Sequence, residues 1–105
     1  GPESRFLHLG MTSSDLIDTS LGILLKQAGE EILKGVNKLS DTLKNKALEH
    51  KNTICIGRTH GVHGEPTTFG LKVLGYYDDL DRAKARFESS IEEISVGMFS
   101  GAVGT

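Results

Sequence analysis

Two long runs of helical periodicity govern what this chain can fold into. In the first, apolar or small residues fall at Ile17, Leu21, Leu24, Ala28, Ile32, Val36, Leu39, Leu43 and Ala47, in steps of 4, 3, 4, 4, 4, 3, 4 and 4. That is the period of a helix with one apolar stripe, not of a strand. Lys26, Glu30, Glu31, Lys34, Lys38, Asp41 and Lys44 supply a solvated face, and no Pro interrupts the run. In the second, Phe69, Val73, Tyr76, Leu80, Ala83, Phe87, Ile91 and Ile94 are stepped 4, 3, 4, 3, 4, 4 and 3. The patterns predict helices over roughly residues 15–50 and 67–95, with Ser14 or Asp15 as the natural N-cap of the first.

The first helix would span about 35 residues, on the order of 50 Å at 1.5 Å per residue. Such helices exceed the ordinary globular length. Two of them cannot cover their apolar stripes completely against each other, so the pattern suits a bundle built from several helices or several chains. Gly22, Gly29 and Gly35 interrupt the first run. Each costs roughly 1 kcal/mol against Ala in an exposed helix, so their presence predicts close packing against neighbours.

Composition narrows the function classes. With 105 residues there is room for at most one small domain. A net charge of -2 and the absence of Trp make no case for nucleic acid or an anionic membrane as partner. The longest apolar runs, such as Gly22–Leu25, are far too short to span a bilayer, and no signal-peptide pattern opens the chain. Cys55 is the only cysteine. It reads as a small buried hydrophobe in a reducing, cytoplasmic setting. Gly1-Pro2 resembles the scar of a removed purification tag, which leaves 3–105 as a single helical segment. The lack of an initial Met and the Gly-rich finish at Ser100–Thr105 read as cuts inside a longer protein.

Between the helices, Thr53-Ile54-Cys55-Ile56 is β-like or simply extended. Gly57-Arg58-Thr59-His60-Gly61-Val62-His63-Gly64-Glu65-Pro66 then packs three glycines and a proline into ten residues. That composition predicts an ordered loop. Pro66 biases Glu65 away from helix and suits a helix start just after it.

Two segments carry candidate chemistry. His8-Leu9-Gly10-Met11-Thr12-Ser13-Ser14-Asp15 leads into the first helix, where unpaired N–H groups and the positive dipole end favour a carboxylate or phosphate. Thr12 and Ser13 add hydroxyl donors. The plainer alternative is an N-cap with spare hydroxyls. In the second segment, imidazole is the side chain best suited to donate or accept a proton at physiological pH, which makes His60 and His63 candidates for acid–base work, while Arg58 can fix an anion. The alternatives there are a structural loop with surface histidines, or a metal pair whose further ligands are not evident, so no metal is expected. His50, among Lys46, Glu49 and Lys51, suits a favourable contact with a helix C-terminus.

Taken in order, the two segments resemble the first and second signature regions of the adenylosuccinate lyases, in the fumarase/aspartase superfamily. The second match runs on through Thr67-Thr68-Phe69-Gly70, and the likeness extends to Gly101-Ala102-Val103-Gly104-Thr105. Gly64 stands where many members resemble Ala. The resemblance implies an all-α fold, with long antiparallel helices from the central bundle of these lyases. It implies homotetramers whose active sites combine regions from three subunits. It also implies anti-elimination of fumarate, from adenylosuccinate to give AMP and from the succinylated carboxamide ribotide (SAICAR), with no cofactor.

By that resemblance His60 is the general acid for the departing nitrogen, with Thr59 beside it. Thr12 and Ser13 bind the substrate's succinyl carboxylates, and His8 is a further substrate contact. The implied general base, a serine on a Gly/Ser-rich loop of a third signature region, has no counterpart in these 105 residues. This chain alone is therefore expected to be inactive. The carboxymuconate cycloisomerases share the Thr-Ser…Asp-x-x-x-Thr pattern and the Arg-Thr-His run, but His63 with Glu65-Pro66 favours the lyase. A non-catalytic helical assembly module, with the loop as a mere connector, is the alternative outside enzymes.

Overall fold

The computed structural model describes residues 1–104. Thr105, the last residue of the Gly-rich match, lies outside the described residues. A short 3₁₀ turn at Pro2–Phe6 precedes helix α1 (Ser13–Glu49), strands β1 (Ile54–Thr59) and β2 (Val62–Thr68), and helix α2 (Phe69–Ile94). Both periodic runs are helical, over 37 and 26 residues, close to the expected bounds.

The expected ordered loop at 57–66 is instead most of a β-hairpin. β1 and β2 pair antiparallel, with Ile54 opposite Thr68, Cys55 opposite Thr67, Ile56 opposite Pro66, Arg58 opposite His63 and Thr59 opposite Val62. The register slips between Ile56 and Arg58, so Gly57 forms a bulge. A Cβ there would lie 2.9 Å from the Glu65 carbonyl oxygen. Only His60 and Gly61 connect the paired ends, and both have left-handed φ, 50° and 76°. Two successive positive φ values are what a tight type I′ hairpin turn demands. Pro66 belongs to β2 and not to a helix start. A proline is tolerated because each strand of a two-stranded sheet is an edge.

Residues 32–87 form one compact unit. Within it the start of α2 is fastened to the end of α1. Phe69 N–H donates to the Thr53 carbonyl at 2.8 Å and Gly70 N–H to the His50 carbonyl at 3.0 Å. The Thr68 hydroxyl accepts the Leu71 N–H at 3.2 Å, capping α2. A Cβ on Gly70 would stand 2.4 Å from the Ala47 carbonyl oxygen, so only glycine allows this approach. Ala47 and Val73 are the buried apolar residues of the described chain. The His50 ring meets Phe69 edge-on at 5.2 Å and bonds the Thr53 hydroxyl at 3.1 Å.

Residues 1–31 and 88–105 make up the second unit. Here Gly29 faces the Ile91 side chain and Gly22 faces the Ile94 and Val96 carbonyls. Rising numbers on α1 thus meet falling numbers on α2, as in an antiparallel pair. Gly22 and Gly29 fulfil the expectation of close packing, whereas Gly35 has open space around its Cα. Leu16, Ile17, Leu21 and Leu24 in this unit are each more than half exposed. An apolar stripe this open is unusual on a monomeric soluble surface.

Candidate active site

At the start of α1 the chain turns at Gly10 (φ 78°) and enters the helix at Ser13. Thr12 therefore occupies the flanking position, two or three residues ahead of the caps expected from sequence. Asp15 serves the cap from inside the first turn: its Oδ2 accepts the Thr12 N–H at 2.9 Å, the backward reach of a capping box. The same carboxylate accepts Ser100 N–H on Oδ1 at 2.8 Å and Gly101 N–H on Oδ2 at 3.1 Å. These N–H bonds, led by Ser100, hold its pKa below the ordinary 3.8 against the opposing effect of burial. The charge stays although Asp15 is only 1% exposed, and the helix dipole favours it further.

This arrangement leaves the candidate anion ligands available. Ser13 is exposed and Thr12 half-buried. His8 is exposed in the preceding turn, its carbonyl accepting Met11 N–H at 3.2 Å. Two hydroxyls beside the unpaired N–H groups of a helix N-terminus can take a carboxylate. All three residues belong to the 1–31/88–105 unit.

Thr59 and His60 belong to the 32–87 unit. Thr59 ends β1 and pairs with Val62, and His60 is the first turn residue. Both are exposed. A non-glycine residue at φ 50° is uncommon, and histidine is among the types that tolerate it best. The backbone conformation costs roughly 1–3 kcal/mol, the kind of local strain that clusters at functional sites. Beside the turn, Arg58 and His63 are cross-strand partners, with Nη2 and Nε2 3.4 Å apart. Among the described residues, no group of three or more His, Cys, Asp or Glu could hold a metal ion.

Local sequence reasoning did not single out Asp15 as more than a cap, nor the 98–101 segment as a partner of Asp15 and Thr19. The Thr19 hydroxyl accepts Met98 N–H at 2.9 Å and donates to the Met98 carbonyl at 3.1 Å. The available signal was the Asp-x-x-x-Thr spacing, which sets both side chains one helical turn apart.

Comparison with known proteins places the chain in a family. The chain is 49% identical over 105 residues to the adenylosuccinate lyase of Aquifex aeolicus, covering 100% of this chain and 24% of that protein. It is 50% identical over the same length to the adenylosuccinate lyase of Bacillus subtilis, again 24% of that protein. Among solved structures, a fumarate lyase from Mesorhizobium sp. BNC1 superposes with a TM-score of 0.92 at 32% identity, over 97% of this chain and 24% of that one. The 3-carboxy-cis,cis-muconate lactonizing enzyme of Pseudomonas putida gives 0.92 at 39% identity, over 99% of this chain and 24% of that one. The chain thus spans about a quarter of the proteins it matches. A family model described as Lyase matches residues 2–105, and the chain belongs to that family.

Proposed function

We propose that this chain is the part of an adenylosuccinate lyase that supplies the general acid and the carboxylate-binding helix start. Identity near one half along the whole chain to adenylosuccinate lyases carries this reading. The muconate lactonizing enzyme stands lower, at 39%. In the proposed reaction a base outside these residues takes the proton from the carbon next to a succinyl carboxylate. The freed electron pair forms the C=C bond of fumarate as the C–N bond breaks. The His60 imidazolium gives its proton to the departing nitrogen, leaving AMP from adenylosuccinate or the carboxamide ribotide from SAICAR. Thr12 and Ser13 hold a succinyl carboxylate, and His8 and Thr59 are further substrate contacts.

In this reading residues 3–105 serve as one segment of the catalytic helical domain of a cytoplasmic homotetramer. The open leucine and isoleucine stripe supports association, since exposed apolar surface of this extent finds partners. Sedimentation of the 105-residue chain as a stable monomer at tens of micromolar, roughly where exposed apolar surface matters, would count against it.

The deciding assay uses the full-length protein with adenylosuccinate and with carboxymuconate. Fumarate release from the first, lost on His60→Ala by a factor of roughly 10² to 10⁴ with the oligomer intact, is the expected result. Turnover of carboxymuconate alone would transfer the chain to the lactonizing enzymes, and unchanged turnover by the variant would remove His60 from the acid role. The 105-residue chain by itself is expected to release no fumarate, because groups acting as one constellation lose most of the rate when one is missing.

A further inference from the structure

Asp15 makes bonds that an ordinary helix cap does not. A cap serves its own helix, yet two of the three N–H groups on this carboxylate come from 85 and 86 residues further along. Thr19 repeats the pattern one turn later, bonding both the N–H and the carbonyl of Met98. The 98–101 segment is thus held to the first two turns of α1 at Met98, Ser100 and Gly101. Gly101, at φ 65°, comes so near the preceding turn that a Cβ would lie 3.1 Å from the Gly10 carbonyl oxygen. Oδ2, which takes the Gly101 N–H, also accepts the Thr12 N–H. One buried charge therefore joins the helix start that carries Thr12 and Ser13 to the segment packed beside it.

We propose that Asp15, assisted by Thr19, is a positioning residue for carboxylate binding, aiming the Thr12 and Ser13 hydroxyls by clasping the Ser100–Gly101 turn against the start of α1. The inference rests on the reading that those hydroxyls bind a substrate carboxylate. The carboxylate's oxygens serve three part-buried donors. Asparagine has nearly the same shape, but its amide nitrogen is a donor and would face an N–H. At least one of the three bonds must then break, leaving the turn free to shift. Hydrogen bonds weaken steeply as their geometry is lost, so hydroxyls that move with the turn hold a carboxylate less tightly.

The test is a set of variants of the full-length protein, with adenylosuccinate as substrate and fumarate as product inhibitor. Asp15→Asn is expected to raise KM and weaken fumarate inhibition on the order of tenfold to a hundredfold, the worth of a hydrogen bond to a charged group, with a smaller change in kcat. Thr19→Val is expected to move the same quantities in the same direction, by less. A merely structural role would lower the active fraction, and so the apparent kcat, at unchanged KM. In a Thr12→Ala/Ser13→Ala background, Asp15→Asn should add less than about threefold, because residues acting through one another are not additive. Full additivity there, or an unchanged KM in both Asp15→Asn and Thr19→Val, overturns the inference. If Asp15→Asn does not fold, the KM of Thr19→Val decides alone. If instead Thr12→Ala/Ser13→Ala leaves KM and fumarate inhibition untouched, the carboxylate-binding reading itself fails.

Discussion

At the start of α1, Asp15 is 1% exposed and takes three backbone N–H groups, two of them from the far end of the chain. At the tip of the β1–β2 hairpin, His60 is exposed and sits at φ 50° in a two-residue turn. Thr12, next to Ser13, is held by a buried charge and its hydrogen bond, whereas His60 is held by backbone conformation. The first device suits a group that must stay fixed to receive an anion. The second suits a group that must reach toward a partner and exchange a proton with it. They also fail differently. Removing an acceptor at the helix start leaves part-buried N–H groups without a partner. Replacing the side chain at the hairpin tip leaves nothing unpaired, so long as the new residue accepts a positive φ.

The strongest test of this contrast is His60→Asn in the full-length protein. Asparagine is the favoured first residue of a type I′ turn, and it cannot act as a proton donor near neutrality. Turnover is expected to fall by roughly 10² to 10⁴, while thermal stability stays level or rises slightly. Steady-state rates and melting curves on the same sample check both halves. A loss of stability alongside activity would mean that the imidazole is a structural anchor and the tip resembles the helix start after all.

A smaller effect is expected at the next residue. Gly61 has φ 76°, and a β-branched side chain there costs about 1–2 kcal/mol. Gly61→Val should therefore quicken amide exchange across β1 and β2 by roughly one order of magnitude without affecting the start of α1. If exchange across 54–68 is unaltered, the turn conformation is not what holds His60.

Both corners were legible in the sequence to different depths. The apolar steps from Ile17 to Ala47 and from Phe69 to Ile94 were enough for both helices, because a helix writes its buried face into neighbouring positions. The hairpin was not legible as one. Arg58, His63 and Glu65 break any apolar alternation, and Pro66 argues against a strand unless that strand is an edge. The signal that was present is His60-Gly61 as a two-residue connection, of the same kind as Asn-Gly. The Asp15 clasp could not be read locally at all, since its donors lie 85 and 86 positions away. For Thr12, Ser13 and His60, local chemistry left cap and surface-loop readings open. Only the resemblance of the two segments in order chose among them.

Smaller still is the expected effect at Thr68, a cap that serves only its own helix. Its hydroxyl takes the Leu71 N–H at 3.2 Å, and Thr68→Ala should cost about 1 kcal/mol. Because the start of α2 is also held by the Thr53 and His50 carbonyls, KM for adenylosuccinate should not move. A KM change as large as that of Asp15→Asn would show that any cap disturbs binding, and the contrast between local and long-range capping would collapse.

The smallest expected effect is that of pH on the clasp over the ordinary working range. The folded pKa of Asp15 lies below its ordinary value of 3.8 because Ser100, Thr12 and Gly101 N–H groups bond the ionised form. A depressed carboxylate pKa contributes stability that is fully present above the unfolded value and lost as pH falls through the folded one. Protection of the Ser100 and Gly101 amides, corrected for intrinsic exchange, should therefore be flat from neutrality down to about the ordinary carboxylate range. It should fall only below 3.8, when a proton on the carboxylate removes an acceptor site. In Asp15→Asn the same amides should exchange faster at every pH and show no such acid step. His60 offers the internal control: exchange across the hairpin tip depends on φ and not on a carboxylate, so its profile should show no step tied to Asp15. A step at both corners together would mean that acid loosens the whole protein, and that Asp15 is not a local clasp.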